Sequence, residues 1–145
     1  MNSKILEIRR LDEAFLVNSK PIKIRQPVID GILEYSAACH PREAILLLKG
    51  KVKGQGIVVE EVEIPPFAVH SYESSHFPLY MLPIDFSIVG TAHSHPSSVL
   101  QPSIVDLNHF YGRIMIITAY PYKSEQNLKV FNNNGNHIQY EIIRD

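Results

Sequence analysis

The stretch Phe86-Ser-Ile-Val-Gly-Thr-Ala-His-Ser-His95 predicts a β-strand, because it is rich in β-branched residues and has a proline on either side. Side chains two residues apart in a strand project from the same face. His93 and His95 therefore stand side by side, while Ser94 points to the opposite face. Two imidazoles in this arrangement have the geometry of two metal ligands.

A short helix is predicted downstream of this strand. Pro96 ends the strand, and six residues later Ser103-Ile-Val-Asp106 begins a helical pattern that continues to Tyr111. The first helical turn can fold back toward the strand end and bring Asp106 there as a third ligand. Two neutral imidazoles and a carboxylate, with a fourth position for water, are typical of hydrolytic zinc. Zinc lowers the pKa of its bound water from 15.7 toward about 7.

Each part of this pattern has an ordinary alternative explanation. Two histidines at this spacing are often surface or partly buried groups, and Ser103 followed by Asp106 resembles a helix capping box. The full pattern is much rarer than its parts. From average residue usage, it arises by chance in a chain of this length on the order of once in 100,000. The combination therefore indicates a metal site.

The rest of the chain predicts one mixed α/β domain around this site. Pro27 is a plausible first helical position, and a helix from there to just before Pro41 places Val28, Ile32, Tyr35 and Cys39 on one face. Further strands are predicted at residues 5–9, 15–17, 43–49, 57–64 and 113–120, with Gly50 ending one strand and a turn at 51–56. A final hairpin pairs residues 128–131 with 137–143 around an Asn-rich turn at 132–136.

The charge balance excludes partners that need a strong electrostatic field. The 145 residues include 14 basic and 15 acidic side chains, for a net charge of -1. We therefore expect binding to neither nucleic acid nor a membrane surface. Charged side chains recur through the first 15 residues, so neither a signal peptide nor a membrane span is predicted there. The single cysteine, Cys39, fits a reducing compartment. The expected location is the cytoplasm.

The two histidines and the helix start resemble a known motif. His93-Ser94-His95-Pro96 followed by Ser103-Ile-Val-Asp106 is similar to the JAMM motif of MPN domain metalloproteases, in its full spacing. Pro41-Arg-Glu43, followed by aliphatic residues and Gly50, is similar to the glutamate element of the same family. The resemblance runs from Ile22 to the C-terminus. It implies an MPN (JAMM) domain at residues 22–145 and an extension at residues 1–21.

The resemblance also implies a fold, a cofactor and residue roles. The fold is a mixed central β-sheet flanked by helices, of the cytidine-deaminase-like type. His93, His95 and Asp106 would bind one Zn²⁺. Glu43 would act as the general base toward the zinc water, and Ser103 would stabilise the developing oxyanion.

The function implied by the resemblance is that of a zinc metallo-isopeptidase. Such an enzyme hydrolyses the amide bond between a ubiquitin-like modifier and a lysine or a carrier, so the modifier or its conjugates are the expected partners. The chain resembles compact prokaryotic or archaeal members more closely than the larger eukaryotic ones. Two alternatives stay open: a zinc peptidase that processes a sulfur-carrier protein or releases cysteine from it, and a non-catalytic MPN scaffold. A homodimer is also left open.

The remaining histidines and the cysteine are expected to play other parts. His109 follows Asp106 on the same helix face and should pack beside the ligands rather than bind the metal. His70, His76 and His137 are expected to be exposed. Cys39 is expected to be a small buried hydrophobe on the first helix.

Overall fold

The computed structural model describes residues 21–65, 69–70, 75–76 and 85–144. The strands predicted at 5–9 and 15–17 lie outside these ranges. The division into an extension at 1–21 and a domain at 22–145 therefore stays a prediction.

Strands outnumber helices in the described residues. In chain order the elements are β1 Ile22–Arg25, α1 Gln26–Cys39, β2 Ile45–Lys53, β3 Gly56–Glu63, β4 Val69–His70, β5 Ser75–His76, β6 Ile88–His95, α2 Ile104–Asn108, β7 Ile114–Ala119, β8 Leu128–Phe131, β9 His137–Ile138 and β10 Tyr140–Ile143. The predicted mixed α/β class is confirmed. Neither helix of this part has both the length and the apolar character needed to cross a membrane.

Most of these strands form one mixed sheet in the order β10-β1-β3-β2-β6-β7-β8-β9, while β4 and β5 pair separately. The pairs β1/β10, β1/β3 and β6/β7 are parallel, and the other neighbours are antiparallel. Gln139 alone separates β9 from β10, although these strands stand at opposite ends of the order. Two chain steps span at most about 7 Å, so the sheet curls until its two ends meet.

This closure corrects the predicted final hairpin. The turn is present, but only β9 pairs with β8. Residues 140–143 form β10, which runs parallel to β1. The reason is that β10 covers the backbone groups of β1, which would otherwise be an open sheet edge. The alternating pattern of residues 137–143 predicted a strand correctly but carried no information about its partner.

The main core lies between α1 and one face of the sheet. Pro27 stands in the first turn of α1, as predicted. The fully buried aliphatic members of this core come from α1 and five strands: Ile24, Val28, Ile29, Ile32, Leu48, Val59, Ile114, Ile116 and Val130. Cys39, at the last position of α1, is only partly buried. The predicted burial of Cys39 is therefore wrong, because the buried face of the helix turns away before its end.

The opposite face of the sheet carries two smaller apolar clusters. Ile45 and Leu47 of β2 pack with Ile88, and Met115, Ile117 and Phe131 pack with Leu100 and Phe110. His93 is paired with Ile45 on one side and Ile117 on the other. The two histidines at the end of β6 therefore face away from α1. This is the face against which the functional site is built.

The β2–β3 hairpin also differs from the prediction. Gly50 does not end a strand, because β2 continues to Lys53 and turns at Gly54 and Gln55. The pairing of β2 with β3 shifts register between Lys49 and Gly50, which marks a β-bulge. A Cβ at Gly50 would overlap the carbonyl oxygen of Val58. Glycine is required there by close backbone approach rather than by a turn.

Gly50→Ala should destabilise the protein by roughly 3 kcal/mol or more, because the two strand backbones must separate to admit the methyl group. Gly54→Ala is the matched control. Gly54 has φ +61 with open space around it, so alanine there costs only about 1 kcal/mol of backbone strain. Urea denaturation of both variants measures the difference. Equal losses in the two variants would contradict the bulge interpretation.

Candidate metal centre

Three side chains that sequence reasoning assigned as ligands are buried at one end of the sheet. His93 and His95 lie at the end of β6, and Asp106 lies in the first turn of α2. The predicted helix at 103–111 is shorter in the structure, ending at Asn108. Its start is where the prediction placed it, and the start is what carries Asp106.

His95 and Asp106 are in direct contact. The His95 Nε2 lies 2.9 Å from the Asp106 Oδ2, and the His95 Nδ1 donates to the Val99 carbonyl oxygen at 2.8 Å. Burial lowers the pKa of His95, but the hydrogen bonds to Asp106 and Val99 outweigh burial, so the pKa is raised overall. Without a metal, the Nε2 proton joins the imidazole to the carboxylate. A metal ion would take the place of that proton.

A capping box aims the Asp106 carboxylate. The Asp106 backbone N–H donates to the Ser103 Oγ at 3.0 Å, and the Ser103 N–H donates to the Asp106 Oδ2 at 2.8 Å. Burial raises the pKa of Asp106, yet the hydrogen bonds from His95 and the Ser103 backbone lower it to about 2. The ordinary explanation of this serine and aspartate is thus correct. The same capping box also directs an ionised carboxylate at His95.

His93 is neutral because it is buried. Burial lowers its pKa to about 4, against the opposing effect of the Asp106 charge. Its Nε2 lies 3.2 Å from the Thr91 Oγ1. Thr91 stands two residues earlier on the same strand face, a neighbour that the alternation of β6 could have identified but that sequence reasoning missed.

The described part of the chain holds no group of three His, Cys, Asp or Glu side chains already arranged to bind a metal. The structure brings His95 and Asp106 together and places His93 beside them, turned to Thr91. The donor chemistry nevertheless fits zinc. Tetrahedral ligands at roughly 2.0–2.2 Å from zinc lie about 3.3 Å from each other, close to the 2.9 Å between His95 and Asp106. His93, on the same face of β6 as His95, would supply the third donor.

Glu43 reaches the same end of the sheet from another element. It lies just before β2 rather than within the predicted strand, and it is half-buried. Two residues later, Ile45 pairs with His93. The Glu43 charge is also one of the smaller influences that raise the pKa of His95, behind those of burial and hydrogen bonding. The β2–β6 pairing therefore brings this carboxylate near the two histidines.

The other histidines do not join this group in the described residues. His109 is exposed, and its Nδ1 donates to the Val105 carbonyl oxygen at 2.9 Å. Its assignment as a neighbour of the ligands stays a prediction. His137 is exposed, as predicted. The side chains of His70 and His76 lie outside the described part. Ser103 is exposed, and because its oxygen accepts the Asp106 N–H, its own proton remains able to donate.

The metal-free protein should lose stability as the pH falls from 6.5 to about 4. Over this range His93 stays neutral in the folded chain but is protonated in the unfolded chain. The penalty is absent above pH 6.5, complete below about pH 4, and worth about 3 kcal/mol. The raised pKa of His95 adds stability that is already complete below pH 6.5 and is lost only as the pH rises.

Urea denaturation with a chelator present, compared with His93→Gln, isolates this effect from other titrating groups. The stability of the wild type should fall by about 3 kcal/mol more than that of the variant across the window. Parallel curves for the two proteins would show that His93 is not buried in the neutral form.

Comparisons with known proteins identify the family of the chain. The family model of prokaryotic homologs of the JAB domain matches residues 25–132. A probable metalloprotease from Haloferax volcanii is 40% identical over 108 residues, which cover 70% of this chain and 67% of that protein.

Solved structures give the same result. A JAB1/MPN domain protein from Archaeoglobus fulgidus is 32% identical, with a TM-score of 0.62 over 83% of this chain and 98% of that one. A structure described as JAMM, a metalloprotease-like zinc site in the proteasome and signalosome, is 30% identical, with a TM-score of 0.61 over 84% and 97% of the two chains. The chain belongs to the prokaryotic JAB family of JAMM/MPN metalloprotease-like proteins.

Proposed function

We propose that this chain is a zinc-dependent isopeptidase that hydrolyses the amide bond between a ubiquitin-like modifier and a lysine or carrier. The observation that carries the proposal is the contact of His95 with an ionised Asp106, beside a neutral His93 and close to Glu43. Ionised carboxylate and neutral imidazole are the protonation states that zinc ligands need. The names of the relatives support a metalloprotease, and the modifier rests on the family resemblance.

His93, His95 and Asp106 would hold the zinc ion. When bound there, zinc would supply Lewis acidity that polarises an amide carbonyl and makes a nucleophile available from water at neutral pH. The Val99 carbonyl oxygen keeps the His95 ring oriented through Nδ1, which leaves Nε2 for the metal. The capping box does the same for Asp106, through the Ser103 N–H.

Glu43 would act as the general base toward water and then as the general acid toward the leaving amine. A carboxylate that is not a ligand can accept a proton from the attacking water and deliver it to the departing amine. Its half-buried place just before β2 suits this role, because Glu43 lies at the same end of the sheet as the histidines and is still open to solvent.

Ser103 would stabilise the oxyanion that develops on the substrate carbonyl. Its hydroxyl oxygen accepts the Asp106 N–H and the residue is exposed, so the hydroxyl proton is available to a substrate oxygen. A donor fixed in advance by the fold needs little reorganisation during the reaction, and this is the condition for strong stabilisation of the transition state.

A substrate panel tests the proposal. The zinc-loaded protein should cleave lysine-linked conjugates of a ubiquitin-like modifier, and a chelator should abolish cleavage while zinc restores it. Cleavage only of C-terminally extended carrier proteins, or release of cysteine from them, would select the carrier-processing alternative. Absence of any chelator-sensitive cleavage would leave the scaffold alternative and contradict an enzymatic role.

Glu43→Gln provides the control within the site. Turnover should fall by at least about 100-fold, because the amide cannot accept the proton. Zinc content and the free energy of unfolding should stay close to those of the wild type. The matched variant is Glu34→Gln, on the exposed surface of α1, which should keep full activity. Loss of zinc from Glu43→Gln would show that Glu43 is a ligand instead of the base.

A further inference from the structure

Glu43 occupies a connection of five residues, 40–44, between α1 and β2. A general base must be held within a fraction of an ångström of its working position, and loops hold side chains less well than strands do. The connection is fixed by contacts at its two ends.

Ser94 fixes the end of the connection. Its backbone N–H donates to the Ala44 carbonyl oxygen at 3.1 Å, and its Oγ accepts the Ala44 N–H at 2.7 Å. In a regular antiparallel pair both bonds would join backbone groups. Here the hydroxyl replaces one of them, and both residues are buried. Two hydrogen bonds to Ser94 thus fix the backbone of Ala44, the residue that directly follows Glu43.

Tyr122 and His40 fix the beginning of the connection. The His40 N–H donates to the Ser36 carbonyl oxygen at 3.1 Å, as α1 ends. The His40 ring stacks on Tyr120 with centroids 4.9 Å apart, and its Nδ1 lies 3.0 Å from the Tyr122 hydroxyl. Tyr122 therefore reaches from the end of β7 to the residue that opens the connection.

Tyr122 also links the two ends to each other. Burial raises the pKa of its phenol, while a hydrogen bond from Ser94 acts in the opposite direction and the Glu43 charge raises it further. The Tyr122 backbone adopts φ +60, a conformation that is strained for a non-glycine residue. The surrounding contacts hold it there, so the phenol bonds to His40 at the start of the connection and to Ser94 beside its end.

We propose that Ser94 and Tyr122 are positioning residues that hold residues 40–44 and so aim the Glu43 carboxylate at the end of β6. The tripeptide from His93 to His95 then has two functions: its histidines face the metal side of the sheet, and Ser94, on the opposite face, fixes the Ala44 backbone next to the base. The proposal rests on the proposed function, since it assigns a role to the same Glu43.

Ser94→Ala tests the proposal by two independent measurements. Amide hydrogen exchange should show the Ala44 N–H exchanging about tenfold faster or more, because its acceptor is gone. In the zinc-loaded protein kcat should fall by roughly 100-fold, the effect of a small misplacement of a catalytic group, while KM and zinc content stay unchanged. Tyr122→Phe, which keeps the ring and removes only the hydroxyl, should lower kcat in the same way.

Ser36→Ala is the matched control. It removes a buried hydroxyl whose partner is the Thr118 Oγ1 at 3.0 Å, with no bond to residues 40–44 through that hydroxyl. It should lower stability to a similar degree and leave kcat and Ala44 exchange as in the wild type.

Two results would overturn the proposal: unchanged Ala44 exchange in Ser94→Ala, or a loss of kcat in Ser36→Ala as large as in Ser94→Ala. If the wild type cleaves no conjugate or carrier, the proposed function fails by itself. Ala44 exchange, which needs no activity, then still decides whether Ser94 holds the connection.

Discussion

Strand β6 is paired with β2 on one side and with β7 on the other, and its alternation is the constraint on which the site depends. One set of its side chains faces α1 and the main core. The other set, Thr91, His93 and His95, faces the second side of the sheet, where α2 brings Asp106. Pairing with β2 also places Glu43 at the same sheet end. A slip of one residue in this pairing would turn the histidines into the core.

The protonation states of the site follow from the burial and hydrogen bonds of its side chains. His93 has no carboxylate in hydrogen-bond contact in the described structure and is kept neutral by burial, whereas His95 gains a proton through its bond to Asp106. The result is one neutral imidazole, one imidazole that shares a proton with a carboxylate, and one carboxylate that stays ionised. Binding of a metal would release that shared proton, so affinity for the metal should depend on pH.

Sequence patterns predicted much of this arrangement, because the signals involved are local. Residues two apart, such as His93 and His95, share a face in any strand. The capping box that orients Asp106 involves only residues 103–106. The long-range features were not predictable in this way. The partner of β10, the bulge at Gly50 and the hold of Ser94 on Ala44 each depend on a strand distant in sequence. Alternation reports which residues share a face but carries no information about what they meet.

The central claim is that His93, His95 and Asp106 bind one metal ion. Anomalous diffraction at the zinc edge, from crystals of the zinc-loaded protein, tests it most directly. The account predicts one strong peak at roughly 2.0–2.2 Å from a nitrogen of each histidine and an oxygen of Asp106, with the His93 ring turned away from Thr91. A zinc peak at other residues, or no peak at this end of β6, would contradict it.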